Sequence, residues 1–288
     1  MNAKQIAVFY HAECLDGFGA AYAARVKFGD SAEYIPIQYG HEPEALDYTG
    51  KEVYFVDFCY PQEVMDRIQA AAKSLVVLDH HEGVRGIAER YQGVFDPSRS
   101  GATIAWTYFH PDTPTPRLLL CVEDEDLYAF KLPETRAVGV YLSAQPYEFP
   151  LWEQFVHILD TPGERETFIA KAETYLEYFN HLVEIAVEHA HPVHFEGHVV
   201  LLANSVPVRT IKSAIGNALA KKMPPFGLVS SVHPNGLGFS IRGDGSVDVS
   251  AIARKYGGNG HPSSSGFRIP WQLPMPFTSA EDDENPRD

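Results

Sequence analysis

The sequence predicts an α/β protein in two folded parts. A doubly wound, mainly parallel sheet is expected over residues 1–150 and a smaller α/β domain with a mixed sheet over 196–270. A helical connector over 151–195 joins them, and a disordered acidic tail over 271–288 follows. Three observations predict this arrangement. Short β-branched and aromatic runs alternate with helix-patterned segments from Ile6 to Leu78, the order that builds a parallel sheet. Apolar residues at helical spacing (Phe168, Ala172, Tyr175, Tyr178, Leu182, Ile185) run through the middle of the chain. A second series of strands and helices begins at Val199 and stops before the proline-containing, acidic "EDDENPRD" end.

Ile6 to Tyr10 reads as the first strand and the alanine-rich segment Gly17 to Phe28 as the first helix. Tyr34 to Gln38 and Val53 to Val56 follow as strands. Pro61 opens a helix reaching Ser74, because its fixed φ suits a first turn and its missing N–H has no helical partner there in any case. Leu75 to Leu78 is a fourth strand, and continuous apolar runs of this kind belong to strands covered on both faces. Ser100 is placed to cap a helix beginning "GATIAW". In the last third, Val199 to Ala203, Phe226 to Val232 and Gly238 to Ile241 read as strands and Ile211 to Lys222 as a helix. Val249 to Tyr256 is a further helix, with Asp248 as its cap and Gly257 as its stop. His189, His191, His194 and His198 fall irregularly at the junction and read as solvated linker residues, with a metal site as the weaker alternative.

Composition narrows the function classes. At 45% hydrophobic and 12% aromatic content, 288 residues suffice for two cores. No window is apolar over the length needed to span a bilayer, and Met1 to Gln5 leads into a strand without the regions of a secretory signal. Cys14, Cys59 and Cys121 are odd in number and unpaired in spacing, so reduced, small buried hydrophobes in a cytoplasmic protein are expected. The net charge of −15 argues against long nucleic acid as the main ligand, because neutralising many phosphates needs a basic stripe.

The strand ends carry the chemistry. The first ends at His11 in "HAECLDG", the third at Asp57 in "VYFVDFC", and the fourth at Asp79, His80 and His81 in "VVLDHHEG". Three strands of one parallel sheet thus deliver imidazoles and carboxylates to the carboxyl edge, where open α/β sheets hold ligands. Asp124 in "CVEDEDLY" is placed to join them. Imidazole with carboxylate suits Mn²⁺, Mg²⁺, Fe²⁺ or Zn²⁺. Each piece alone has an ordinary structural explanation: Asp16 and Asp57 as helix caps, "EDED" as a solvated face, the histidine pair as chance in a chain with 13 histidines. Only the joint arrangement at one edge calls for more.

The motif order "HAECLDG", "VDFC", "DHH", "SGATIAW", "VEDEDLY" and, about 130 residues later, "YGGNGHPSSSGF" resembles the DHH phosphoesterase superfamily with its DHH-associated C-terminal domain. The resemblance implies two divalent ions, most simply Mn²⁺, and carries roles residue by residue. His11 and Asp57 would hold the first ion; Asp16, Asp57, His80 and Asp124 the second, with Asp57 bridging; His81 would face the phosphate. Where the family has an aspartate two residues after His11, this chain has Glu13, whose longer carboxylate can reach the first ion or equally swing away, leaving that position weak or differently occupied. Two ions about 3.5–4 Å apart can share a hydroxide and aim it in line at phosphorus. Asp79 would orient an imidazole rather than bind metal. In the second domain Arg242 and the glycine loop Gly257, Gly258, Gly260 and His261 are expected to bind substrate, although "GGNGH" has Asn259 where a third glycine is usual. The implied activity is hydrolysis of phosphoesters in small nucleotides, cyclic dinucleotides or short oligonucleotides. The alternatives are a pyrophosphatase-like phosphoanhydride hydrolase and a catalytically weakened nucleotide sensor. A homo-oligomer is left open.

Overall fold

The structure, a computed structural model, describes residues 4–38, 48–271 and 275–280, and the chain divides into two compact units, Met1–Leu176 and Glu177–Asp288. In the first unit β1 (Ile6–His11), α1 (Leu15–Phe28), β2 (Ala32–Ile37), β3 (Glu52–Val56), α2 (Gln62–Ala71), β4 (Ser74–Asp79), α3 (Arg85–Ala88) and β5 (Gln92–Phe95) build a parallel sheet. Helices α4 (Gly101–Phe109), α5 (Arg117–Asp126), α6 (Thr135–Ser143), α7 (Phe149–Asp160) and α8 (Glu164–Glu188) follow.

The strand order is β2-β1-β3-β4-β5, all parallel. Alternation along the central strands explains why they read as unbroken apolar runs. Val8, Val56, Val76 and Leu78 face one core with α1 and α4 to α7. Ala7, Phe9, Val53, Phe55, Leu75 and Val77 face the other with Met65 and Ile68 of α2. Phe9 and Phe55 stack at 4.9 Å between ring centroids, and cutting either to alanine would cost about 3–5 kcal/mol through lost burial and the cavity left behind. The strand order reverses between β1 and β3, and the crevice beyond the carboxyl ends of those two strands is where doubly wound sheets bind ligands.

The second unit contains β6 (His191–Phe195), β7 (His198–Asn204), α9 (Arg209–Lys222), β8 (Phe226–His233), β9 (Gly236–Gly243), α10 (Val249–Lys255), β10 (Asn259–His261), β11 (Ser264–Ile269) and β12 (Thr278–Ser279). Its sheet is mixed, in the order β10-β11-β9-β8-β7-β6-β12, with β7 and β8 the parallel pair. Ile215 and Leu219 of α9 cover one face, while Val249, Ile252 and Ala253 of α10 cover the other with Phe195, Phe226, Phe239 and Phe267. Asp248 caps α10 by accepting from the Ser250 and Ala251 amides at 2.9 and 3.2 Å. The long α8 serves two cores: Phe168 and Ala172 pack in that of the first unit, Val183 and Val187 in that of the second.

Two expectations change. The junction histidines are not in a linker: His191 and His194 lie in β6 and His198 opens β7. Val193 and Phe195 alternate inward while His194 points out, and Glu196-Gly197, both at positive φ, close a two-residue hairpin. The segment expected as tail also contributes to the fold. Phe277 packs on the second core, and Thr278 and Ser279 pair with His194 and Val193. An apolar side chain and a free sheet edge outweigh the acidic composition there. Residues 272–274 and 281–288 lie outside the described residues. Among the described residues, no helix is long and apolar enough to cross a membrane.

Candidate metal centre

Tight backbone turns at the carboxyl edge of the first sheet bring the side chains together. Gly17 lets α1 start against the end of β1, since a Cβ there would lie 2.2 Å from the His11 carbonyl oxygen. Gly101 does the same for α4, because its Cβ would lie 2.7 Å from Cβ of Asp57 and 3.0 Å from Oδ2 of Asp16. Asp57, directly after β3, is at φ 55°, a left-handed conformation that aspartate tolerates better than most side chains. Its amide still donates to the Leu78 carbonyl at 2.9 Å, so the turn is anchored to β4.

Asp57 is the hub. It is 1% exposed, and its two oxygens face different partners. Oδ2 lies 3.5 Å from Nδ1 of His11. Oδ1 lies 3.2 Å from Nε2 of His80 and 3.7 Å from Nδ1 of His81. Nε2 of His80 also lies 3.4 Å from Oδ2 of Asp16 and 3.6 Å from Oδ2 of Asp126. Oδ1 of Asp79 accepts from the His80 and His81 amides at 2.7 and 2.9 Å and meets Nδ1 of His81 at 2.9 Å. Asp79 therefore fixes the ring of His81 and the turn carrying both histidines. Asp16 has a structural task as well, accepting from the Gly101 and Ala102 amides at the start of α4 at 2.7 and 2.8 Å.

Among the described residues three donor groups have their atoms within 4.8 Å of one another: His11 with Cys14 and Asp57, Asp57 with His80 and His81, and Asp16 with His80 and Asp126. Two expected residues are not among them. Asp124 accepts from the Lys131 and Leu132 amides at 2.8 and 2.9 Å and from the Thr135 hydroxyl at 2.5 Å, so it ties down the loop before α6. Residues two apart on a helix lie on opposite sides. Asp126, the last residue of α5, is the carboxylate of that helix that lies beside Asp16 and His80. Glu13 is exposed at φ 53° and lines a separate hollow with Tyr10, Phe18 and Tyr147, while the next residue, Cys14, turns toward His11.

In the second unit the expected substrate residues are occupied locally. Nε of Arg242 donates to the Ser213 hydroxyl at 2.9 Å and Nη1 to the Ile241 carbonyl at 2.9 Å. Gly257 ends α10 at φ 74°, and side chains at Gly258 and Gly260 would collide with β11. His261 is exposed in β10. Sequence reasoning missed the cations around Arg242. Burial, then the charges of Arg242, Arg268 and Arg209, hold the Lys212 ammonium below its ordinary pKa. A basic cluster in a chain of net charge −15 is a chemical signal of its own.

No family model matches the chain. An uncharacterized protein of Acanthamoeba polyphaga mimivirus is 29% identical over 293 residues; the match covers 90% of this chain and 66% of the relative, so the chain spans just under two thirds of that relative's length. Three solved structures are similar in fold. The DHH domain of a member of the s1p family of ribosomal proteins has a TM-score of 0.59 at 13% identity, covering 98% of this chain and 84% of that one. An exopolyphosphatase-related protein from Bacteroides fragilis has 0.55 at 14%, covering 94% and 89%. Exonuclease RecJ bound to manganese has 0.50 at 11%, covering 92% and 85%. The chain has the fold of the DHH superfamily.

Within that DHH fold the electrostatics fit a cation. Burial raises the Asp16 carboxyl well above its ordinary range, and the neighbouring charges of Asp57 and Asp126 push the same way. Burial opposes the charge on His80, yet the bond to Asp57 and the charges of Asp16 and Asp126 lift it to about 10. Burial is likewise outweighed at Asp57, where His11, His80 and His81 hold the carboxyl far below its ordinary range. The cluster thus concentrates negative charge that takes up protons by itself and that divalent cations would balance.

Proposed function

We propose that this chain is a metal-dependent phosphoesterase acting on small nucleotides, cyclic dinucleotides or short oligonucleotides, with Mn²⁺ as its ion. Asp57 carries the proposal: one buried carboxylate presents Oδ2 toward His11 and Oδ1 toward His80 and His81, the arrangement a bridging ligand needs. His11 and Asp57 would hold one ion, and Asp16, Asp57, His80 and Asp126 the other. Two such ions supply charge for the phosphoryl oxygens and lower the pKa of the attacking water. The chain's own groups do the rest. His81, oriented by Asp79, is placed to donate to a phosphoryl oxygen or to protonate the leaving group. Lys212, Arg242 and Arg268, with the Gly257 to His261 loop, are proposed to bind the remaining phosphate by charge-assisted hydrogen bonds. The net charge of −15 favours short substrates over long ones.

The likeness to exonuclease RecJ bound to manganese supports this reading, and that to an exopolyphosphatase-related protein keeps phosphoanhydrides in the test. Metal-stripped protein with added Mn²⁺ is assayed against linear and cyclic dinucleotides, short oligonucleotides, phosphomonoesters and pyrophosphate. Turnover of an ester that stops with chelator is the expected result. Turnover of pyrophosphate alone would make the chain a phosphoanhydride hydrolase. Nucleotide binding without turnover would make it a sensor, and ester hydrolysis undiminished by chelator would end the metal-dependent reading.

A further inference from the structure

Glu13 and Cys14 are neighbours with opposite fates. The left-handed backbone at Glu13 leaves its carboxylate in solvent. Cys14 is extended, at φ −130° and ψ 133°, and stands as the cap residue of α1, yet its side chain makes no capping bond. Its Sγ instead falls within 4.8 Å of a ring nitrogen of His11 and a carboxylate oxygen of Asp57. The decisive second observation is Oδ2 of Asp57. That oxygen is buried on a residue 1% exposed, and Nδ1 of His11 approaches it only to 3.5 Å, without a well-formed hydrogen bond. A carboxylate oxygen withdrawn from water and so loosely contacted has room for closer coordination by a cation. Cys59 and Cys121 differ, being buried among apolar side chains with burial pushing both thiols up to about 12.

We propose that Cys14 is a thiolate ligand of the ion held by His11 and Asp57, so that the two ion positions are chemically unequal. This rests on the two-ion reading of the centre and assigns the third donor of its first position. Sulfur and nitrogen bound to one ion at about 2.3 and 2.0 Å stand about 3.5 Å apart when tetrahedral, so the observed grouping needs only a small contraction to close on a cation. On binding, the thiol proton leaves to solvent as the sulfur–metal bond forms. A nitrogen, sulfur and oxygen set favours Zn²⁺, Co²⁺ or Fe²⁺ over Mg²⁺, whereas Asp16, Asp57, Asp126 and His80 form a harder set suited to Mn²⁺. The N-terminus of α1 adds its positive end to the thiolate.

Co²⁺ titrated into the metal-stripped full chain tests this without relying on activity. The expected spectrum combines ligand-field bands with a near-ultraviolet thiolate-to-cobalt charge-transfer band. That band should survive in the Cys59→Ala/Cys121→Ala double variant. It should vanish in Cys14→Ser and in Cys14→Asp, while ligand-field absorption from the second position remains. Metal analysis after exposure to equal Zn²⁺ and Mn²⁺ should show Cys14→Asp shifted toward Mn²⁺. Bound cobalt with no charge-transfer band in the wild type, or a band that persists in Cys14→Ser, would overturn the proposal and leave the two-ion reading standing. Failure of the wild type to bind cobalt at all would overturn both.

Discussion

The two sheets differ in how far the fold itself uses their polar groups. In the second unit Arg242 is held by Ser213 and a carbonyl, Asp248 caps α10, and the glycines of "GGNGH" are required by a helix end and a close strand pairing. Local structure accounts for each of these residues. At the carboxyl edge of the first sheet the buried Asp16, Asp57 and Asp79 and the exposed Asp126 gather round three imidazoles, more anionic charge than helix capping or sheet geometry requires. Surplus buried charge is costly unless something balances it. The first region therefore points to cations, and the second to a surface that contributes positive charge without needing one.

The largest effect that tests this contrast is at Asp57. Asp57→Ala should empty both ion positions and lower kcat by more than the about 100-fold typical of losing an outer partner of a metal ligand, with the circular-dichroism spectrum unchanged. Retention of a tenth of wild-type turnover would mean that the hub is elsewhere.

Asp126 and Asp124 come next, as a matched pair. Asp126→Ala should reduce bound metal and activity about 10–100-fold. Asp124→Ala should leave metal content intact and cost about 1–3 kcal/mol of stability, because buried donors around residues 131–135 lose their acceptor. Metal analysis and denaturation of both variants check the assignment, and a metal-depleted Asp124→Ala would reverse it.

A smaller loss is expected in the second unit. Arg242→Ala and His261→Ala should lower kcat/KM by about 10- to 100-fold, the worth of a charge-assisted hydrogen bond, mostly through KM and with metal content unchanged. Metal lost from His261→Ala would give that residue a ligand's part.

The smallest effect is in the metal-free protein. His80 is raised from 6.5 to about 10, so its charged form stabilises the fold. That contribution is complete below the unfolded value and fades as pH climbs through the folded one. Thermal unfolding of the stripped protein should therefore drop in Tm between about pH 6.5 and pH 10, and His80→Gln should flatten the dependence. An equal drop in both proteins would place the titrating group elsewhere.

The sequence by itself determined the elements that carry the centre. Leu75 to Leu78 could be read as a strand covered on both faces, so the charged residues after it had to emerge at the strand's end, and the same logic located His11 and Asp57. It also determined the caps at Ser100 and Asp248, because a capping side chain acts on amides two or three residues away. Choices that depend on rotation about an axis were decided only by the tertiary structure. Asp124 and Asp126 have the same chemistry, and which faces the His80 cluster depends on how Leu118, Leu119 and Val122 seat α5 in the core. Glu13 and Cys14 are adjacent, and the left-handed backbone at Glu13 itself leaves that carboxylate outward while Cys14 turns toward His11. β6 and β12 went unread because each is short: β12 exists only through pairing with β6, distant in sequence, while β6 pairs with β7 across a two-residue hairpin. Periodicity and capping are local and can be read from a chain, whereas the facing of a helix or the partner of an edge strand is fixed by packing between distant segments.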